Sequence, residues 1–413
     1  MATLMLSVSD ARAHILAIFK PVEATSLSIA RLAGRVLAGD IIAKTDLPLF
    51  DNSSVDGFAL RISDVAGAKP ASPRTLKVAA DIRAGTYSDT PIQPGKCARI
   101  MTGAPLPPGA DAVVMVEDTD FNMRLAGAPA PQTIAVYKSV QPGENIRHRG
   151  DDLHSGDKVL VSGTRLRAQE VGLLAMLGMA EVPVYRSPKL ALLSSGDELL
   201  PVEAPLAPGM IHDTNSYILA ALSESVGVDL IRLGIASDME ADVRSRLERA
   251  VDEQADLILS SAGVSMGAFD CVKSVVEADG ELDFWKVDMR PGKPLAFGKY
   301  HGIPFFGLPG NPVAAFVGFE VFVRPSLDKL SGQIPHPHPS RKARLAESVE
   351  SDGRESYLRA IVTEEHGHLT ARLTGHQGSG NIFSLVQANA LLIVPSGVKS
   401  LPASSEAEIW LIE

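Results

Sequence analysis

Cysteine is scarce: the 413-residue chain carries only Cys97 and Cys271, far apart in sequence. That excludes a disulfide framework and points to a reducing cytoplasm. No apolar run approaches the ~20 residues that a membrane-spanning helix needs. The opening segment, MATLMLSVSDARAHILAIF, has no basic stretch ahead of its apolar residues, so it does not read as a secretion signal. It reads as the approach to a helix that starts near Ser9, with Asp10 favouring the helix N-terminus. A basic excess is also missing: Lys and Arg number 39 against 49 Asp and Glu, a net charge of −10. General nucleic-acid binding rests on neutralising phosphates, so that class is excluded, while a local basic pocket for a small anion is not.

Several catalytic signatures are absent as well. There is no Cys/His cluster with zinc spacing; His336 and His338 sit in a proline-bearing linker, and His366 and His368 in a turn. No G-x-G-x-x-G fingerprint occurs, and a G-x-S-x-G spacing occurs at 263–267 (GVSMG), within the glycine-rich stretch that follows the strand DLILS. What remains is ordinary globular composition, 45% hydrophobic and 21% charged, long enough for roughly two to four domains.

Four textures follow one another. Residues 1–45 read as helical, with Ile15, Ile18 and Phe19, then Leu32, Val36 and Leu37, on apolar faces. They are expected to join 155–187, where RAQEVGLLAMLGMA returns to helix, as one discontinuous helical domain. Residues 46–154 are rich in Gly, Pro and Asp, with short runs such as ARIM and DAVVMVE, and read as an irregular β domain. Residues 188–332 alternate strands with helices, which predicts a central parallel α/β domain covered on both faces. Residues 336–413 carry short alternating runs (LLIVPSG, AEIWLIE) and read as a C-terminal β-barrel.

In parallel α/β sheets, ligands sit beyond the carboxyl ends of the strands. Here those ends carry Ser195, Gly196, Asp197 and Glu198; then Asp238; then Gly263, Ser265, Gly267 and Asp270; then Pro309, Gly310, Asn311 and Pro312. Glycines let backbone N–H groups wrap an anion, and a following helix points its positive end there. Asn311 suits an N-cap and Pro312 the first helical position. Glu198, Asp238 and Asp270 could converge as hard oxygen ligands for Mg²⁺ beside a phosphate; capping and solvated surface account for them equally. KVDMRPGKPLAFGKY places Lys286, Arg290, Lys293 and Lys299 close together, either as a solvated hairpin or as an oxyanion clamp.

Taken in order, DNSSVDGFAL (51–60), RIMTGAPLPPGADAVVMVED (99–118), GENIRHRGDDL (143–153), SSGDEL (194–199), IHDTN (211–215), SSAGVSMGAFD (260–270), PGKPLAFGK (291–299), GLPGNPV (307–313) and GHQGSGNIFS (375–384) resemble the molybdopterin molybdenumtransferase family, which includes the bacterial MoeA proteins and the gephyrin E domain. The likeness covers nearly the whole chain. It implies an enzyme that takes adenylylated molybdopterin and molybdate and yields molybdenum cofactor and AMP, assisted by Mg²⁺. It implies a homodimer with each active site between subunits, supplied by a molybdopterin adenylyltransferase and serving molybdoenzymes or their chaperones. By the same resemblance Asp56, Thr102, Glu198, Asp238, Asp270, Lys286, Arg290 and Lys293 carry the reaction. Glu198, Asp238 and Asp270 manage the cation. Arg147, Asp152, Ser195, Gly196, Asp197, Asn215, the SAGVSMG and LPGNP loops and Ser379 hold the pterin, while Asp51 and Ser53 shape the turn.

The residue types suit that chemistry: cations gather a dianion and phosphates, and cation-bearing carboxylates offset charge on a cleaving phosphoanhydride. Two positions depart from the family pattern: Arg290 stands where many relatives carry Lys, and Ala262 where Gly is usual. Competing readings are a non-catalytic molybdopterin or cofactor storage protein, a scaffold, and a tungsten-preferring paralogue.

Overall fold

In the computed structural model, which describes residues 5–123, 128–261, 271–334 and 338–412, the chain forms two compact units. One is Asp40–Val161 with Met176–Gly178; the other is Met1–Gly39, Ser162–Ala175 and Met179–Glu413. The fold is multidomain, with mixed sheets and few helices.

The larger unit is organised by a six-stranded sheet in the order Asp229–Ala236, Lys189–Ser195, Leu257–Ser261, Ile303–Leu308, Pro294–Tyr300, Gly280–Lys286. The first four strands are parallel. The last two run antiparallel, a departure from the all-parallel expectation. The cause is local: His301 and Gly302 take φ of 46° and 83°, the left-handed pair of a tight hairpin turn that reverses the chain where a crossover was expected. Helices Asn215–Ser225 and Pro312–Gly318 cover one face through Leu219 and Val313. Glu240–Asp252 and Cys271–Asp279 cover the other through Val243, Leu247, Val272 and Val275. The strands bury both faces, which is why they read as continuous apolar runs.

The first helix, Val8–Ile18, is capped by Ser7, whose Oγ accepts from the Asp10 N–H at 3.1 Å, and it buries Val8, Ala11 and Ile15. The helical reading beyond it does not hold. Ala24–Ser28 is a strand paired with Glu181–Tyr185, followed by only a short 3₁₀ turn. Gly34 sits at φ +79°, which ends any helix there. Leu32, Val36 and Leu37 are buried as expected, but Leu32 closes the 3₁₀ turn and the other two lie in β-bridges, Val36 facing Arg165 and Leu37 facing Val184. RAQEVGLLAMLGMA does form a helix, Ala168–Met176.

Five C-terminal strands close into a barrel: Glu355–Glu365 pairs with both His368–Leu373 and Ala390–Val394, and the ring is completed through Ser340–Leu345 and Glu406–Leu411. Tyr357, Leu391, Ile393 and Trp410 of this barrel share a continuous core with the α/β layer.

A buried ionic cluster lies at that junction. Glu320 is 3% exposed in a π-helical turn, Phe319–Val323; Arg324 Nε and Nη2 donate to it at 2.6 and 2.9 Å. His338, expected in an uninformative linker, approaches Glu320 Oε2 to 2.9 Å, poorly aligned for a hydrogen bond, and stacks on Trp410 with centroids 4.7 Å apart. Burial by itself would raise the Glu320 pKa, but His338 and Arg324 outweigh it and hold the carboxyl below its ordinary value. A lowered folded-state pKa gives stability that is present above the unfolded pKa and lost as pH falls through the folded one. Glu320→Gln should therefore lower the urea midpoint at pH 7, toward the low end of the roughly 3–5 kcal/mol cost of breaking a buried pair because Arg324 keeps some exposure. The two midpoints should converge as acid protonates Glu320. A constant gap across pH would contradict this.

The smaller unit holds a five-stranded sheet ordered Ala112–Met115, Gly57–Leu60, Lys96–Ile100, Arg74–Ile82, Thr133–Val136. Phe58, Leu60, Cys97 and Val114 pack on one side of it. Burial pushes the Cys97 thiol up to about 12, so it behaves as an inert core residue.

Candidate functional site

In the larger unit the parallel strands stop together at Ser195, Ala236, Ser261 and Leu308. Gly196 follows the first at φ 149°, and a Cβ there would lie 2.5 Å from Glu198 Oε2, so the missing side chain is what lets Glu198 fold back over the strand end. Asp197 Oδ1 accepts from the Asp238 N–H at 3.0 Å, and the Ser195 hydroxyl donates to Asp238 Oδ1 at 3.4 Å. Ser195, Glu198 and Asp238 thus gather at two adjacent strand ends. Among the described residues no group of three His, Cys, Asp or Glu side chains is poised around one point. Gly263, Ser265, Gly267 and Asp270, with the Ala262 departure, lie outside the described residues.

Asn215, at the start of its helix, is 8% exposed. Its Nδ2 donates to Ser261 Oγ and to the Gly310 carbonyl, both at 2.7 Å, tying the third strand end to the LPGNP turn. Its Oδ1 is buried with no hydrogen-bond partner, an open acceptor among the strand ends. Asn311 and Pro312 take the N-cap and first helical positions, although the Asn311 side chain makes no capping hydrogen bond.

Beside that turn lies a concave site of about 340 Å³. Arg290 and Lys293 line one wall, Pro309 and Asn311 another, and the barrel contributes Arg354, Arg359 and Ser379. The barrel loop is fixed there because the Ser379 carbonyl accepts from the Val313 N–H at 3.1 Å. Four cations line the site and no carboxylate does. Arg354 is bound to Asp352 at Nε, 3.0 Å, and it holds the Asp352 carboxyl below the usual range. Lys286 and Lys299, grouped with these cations from the sequence, pair along the hairpin with Pro294 and Glu281 and do not line the site.

Arg359 was not singled out from the sequence. It is 1% exposed, donates from Nε to Ser384 Oγ at 3.0 Å and from Nη2 to the Gly378 carbonyl at 2.9 Å, and pairs with no carboxylate among the described residues. Gln377 braces it: the Arg359 N–H donates to Gln377 Oε1 at 2.9 Å, and Gln377 Nε2 donates to the Arg359 carbonyl at 3.1 Å. Burial, and then the neighbouring Arg290, pull its pKa down to about 10, so it stays charged near neutrality. A buried cation held only by neutral oxygens is an incomplete ion pair, and an incoming oxyanion completes it. The available signal was an arginine inside an apolar strand, SYLRAIV, at a position that should be apolar.

In the smaller unit Asp56 is exposed, and its Oδ1 accepts from the Thr102 N–H at 2.9 Å and the Thr102 hydroxyl at 2.8 Å. Thr102, Arg147 and Asp152 are exposed too. Asp51 is spent on the fold: Oδ1 accepts from the Arg149 N–H at 2.8 Å, and that bond chiefly holds its carboxyl below the usual range. Ser53 donates to the Val55 carbonyl at 2.6 Å.

The sequence matches three family descriptions in succession: "MoeA N-terminal region (domain I and II)" over residues 6–178, "Probable molybdopterin binding domain" over 191–329, and "MoeA C-terminal region (domain IV)" over 342–412. It is 38% identical to molybdopterin molybdenumtransferase 2 of Mycobacterium tuberculosis, covering 98% of this chain and 99% of that protein. It is also 38% identical to the molybdopterin molybdenumtransferase of Haemophilus influenzae, over 94% of each. Among solved structures, a molybdopterin biosynthesis MoeA protein of Pyrococcus horikoshii superposes with a TM-score of 0.82 at 30% identity, covering 99% of this chain and 100% of that one.

Proposed function

The chain belongs to the MoeA family of molybdopterin molybdenumtransferases, and from that premise we propose that it transfers molybdenum from molybdate into adenylylated molybdopterin with release of AMP, a step of molybdenum cofactor biosynthesis. The observation that carries the reading is the four-cation site around Arg359. Molybdate is a compact tetrahedral dianion, and Arg359, Arg290 and Lys293 supply the charge and N–H donors it needs, with Ser379 beside them. The strand ends hold the substrate's phosphates, with Asn215 fixing the LPGNP turn and Gly196 letting Glu198 fold back beside Ser195. Glu198, Asp238 and Ser195 offer hard oxygen donors of the kind Mg²⁺ takes together with substrate phosphates. Bound there, the ion would offset charge on the adenylate phosphates. Asp270 is assigned to the same set. Asp56, Thr102, Arg147 and Asp152 are assigned to the facing side of the cleft in a homodimer. The expected setting is the cytoplasm, with an adenylyltransferase delivering substrate and molybdoenzymes or their chaperones receiving product.

The test is reconstitution. A molybdenum-free molybdoenzyme should gain activity after the full chain has been incubated with adenylylated molybdopterin, molybdate and Mg²⁺. Glu198→Gln and Asp238→Asn should each lower that yield by roughly 10²-fold, as losing a charge-stabilising group does. Undiminished yield in both variants would remove these carboxylates from the chemistry. No yield with the wild-type chain would favour a storage role.

A further inference from the structure

A second cavity of about 350 Å³ opens on the edge of the α/β sheet, beyond the strand Asp229–Ala236. Its origin is a bulge. Leu192 pairs with Arg232 and Leu193 with Gly234, so the edge strand carries one extra residue, with Gly234 at φ +83°. The extra residue turns Ile235 to the same face as Leu192, and the two line an apolar floor. Tyr217, 48% exposed, forms one wall, and the Arg232 guanidinium lies 5.9 Å from its ring centroid. At the end of the cavity is Asp213, 4% exposed. The one hydrogen bond to its carboxylate among the described residues is from the Ser216 N–H to Oδ1, at 3.1 Å, leaving Oδ2 without one.

We propose that this cavity is the ring-binding subsite for a 2-amino-4-oxopteridine, read by Asp213 through the ring's paired 2-amino and N3 hydrogens. This rests on the molybdopterin reading above. Three features argue for it. The shape calls for a flat ring: an apolar floor with a Tyr and an Arg plane at the wall. The lone buried carboxylate calls for two adjacent N–H donors, which the pterin edge supplies and adenine does not. Asp213 also stands two residues before Asn215, so one helix start would serve both the ring and the phosphate cradle. All these residues fall within the segment matched as a probable molybdopterin binding domain.

The test uses ring probes, not the full reaction. Pterin and lumazine, which has an oxo group in place of the 2-amino group, are titrated into the full chain, following their fluorescence as Tyr217 quenches it. Wild type should bind pterin at least about tenfold more tightly than lumazine, as a charged hydrogen bond requires. Asp213→Asn should collapse that preference to near unity, and Tyr217→Leu should weaken both ligands alike while keeping it. A fold defect would weaken both ligands in Asp213→Asn but would not erase the preference. Equal binding of pterin and lumazine to wild type, or stoichiometric displacement of pterin from this cavity by AMP, overturns the proposal. Pterin discrimination in a chain that releases no AMP would sink the transferase reading and leave this one standing.

Discussion

Arg359→Met should lower molybdate-dependent AMP release by roughly 10²–10³-fold at sub-saturating molybdate, the range for deleting one preorganised donor from a charge-stabilising site. Arg359 is 1% exposed and its bonds go to Ser384 Oγ and the Gly378 carbonyl. Its charge is therefore poorly screened by salt, and an oxyanion in the site meets it at nearly full strength. Met keeps most of the stem's packing but leaves two acceptors without their donor, a stability cost of about 1–3 kcal/mol. Arg359→Lys separates the two effects: it restores a cation but not the planar fork, so it should recover only part of the activity. The check is the molybdate dependence of AMP release for both variants, beside their urea midpoints. Unchanged molybdate dependence in Arg359→Met would take the arginine out of oxyanion binding.

Gly57→Ala should be the most damaging single-methyl change in the smaller unit. A Cβ at Gly57 would lie 2.0 Å from the Val114 carbonyl oxygen and 3.1 Å from a Val113 methyl. Gly57 is held between two partners, opposite Ile100 on one strand and Met115 on the other, so neither ladder can retreat without losing bonds. The cost should exceed ordinary overpacking and reach about 4 kcal/mol, a large share of a typical domain's stability. Asp56, proposed above for the facing side of the cleft, is the preceding residue, and the same change should disturb its hold on Thr102. Gly39→Ala is the control: no atom lies within 4 Å of its added methyl, so stability should hold or rise slightly. Thermal midpoints of the two variants decide it, and equal midpoints would contradict the steric account.

Much of this was legible in the sequence, for identifiable reasons. The α/β layer could be read because strands buried on both faces become apolar runs, each ending in a small-residue turn. Ser53 could be read as a turn former because a short polar side chain bonds its own backbone, whereas Asp51 serves the fold through the distant Arg149 N–H. The stretch from Leu32 to Leu37 misled because spacings of four and one suit a helix, while Gly34 and bridges to distant residues decide otherwise. The hairpin of Pro294–Tyr300 with Ile303–Leu308 was hidden because nothing local announces left-handed φ at a histidine. Arg359 and His338 escape sequence reading because their partners lie 18 or more residues away, and Glu320, although four residues from Arg324, does not announce its burial against the barrel.

In the proposed reaction molybdate triggers cleavage of the adenylate. Its most direct test is AMP release from the purified full chain loaded with adenylylated molybdopterin and Mg²⁺, with and without molybdate. Release should follow molybdate, one AMP per molybdenum transferred. Tight retention of the adenylylated pterin with no AMP at any molybdate concentration would contradict it.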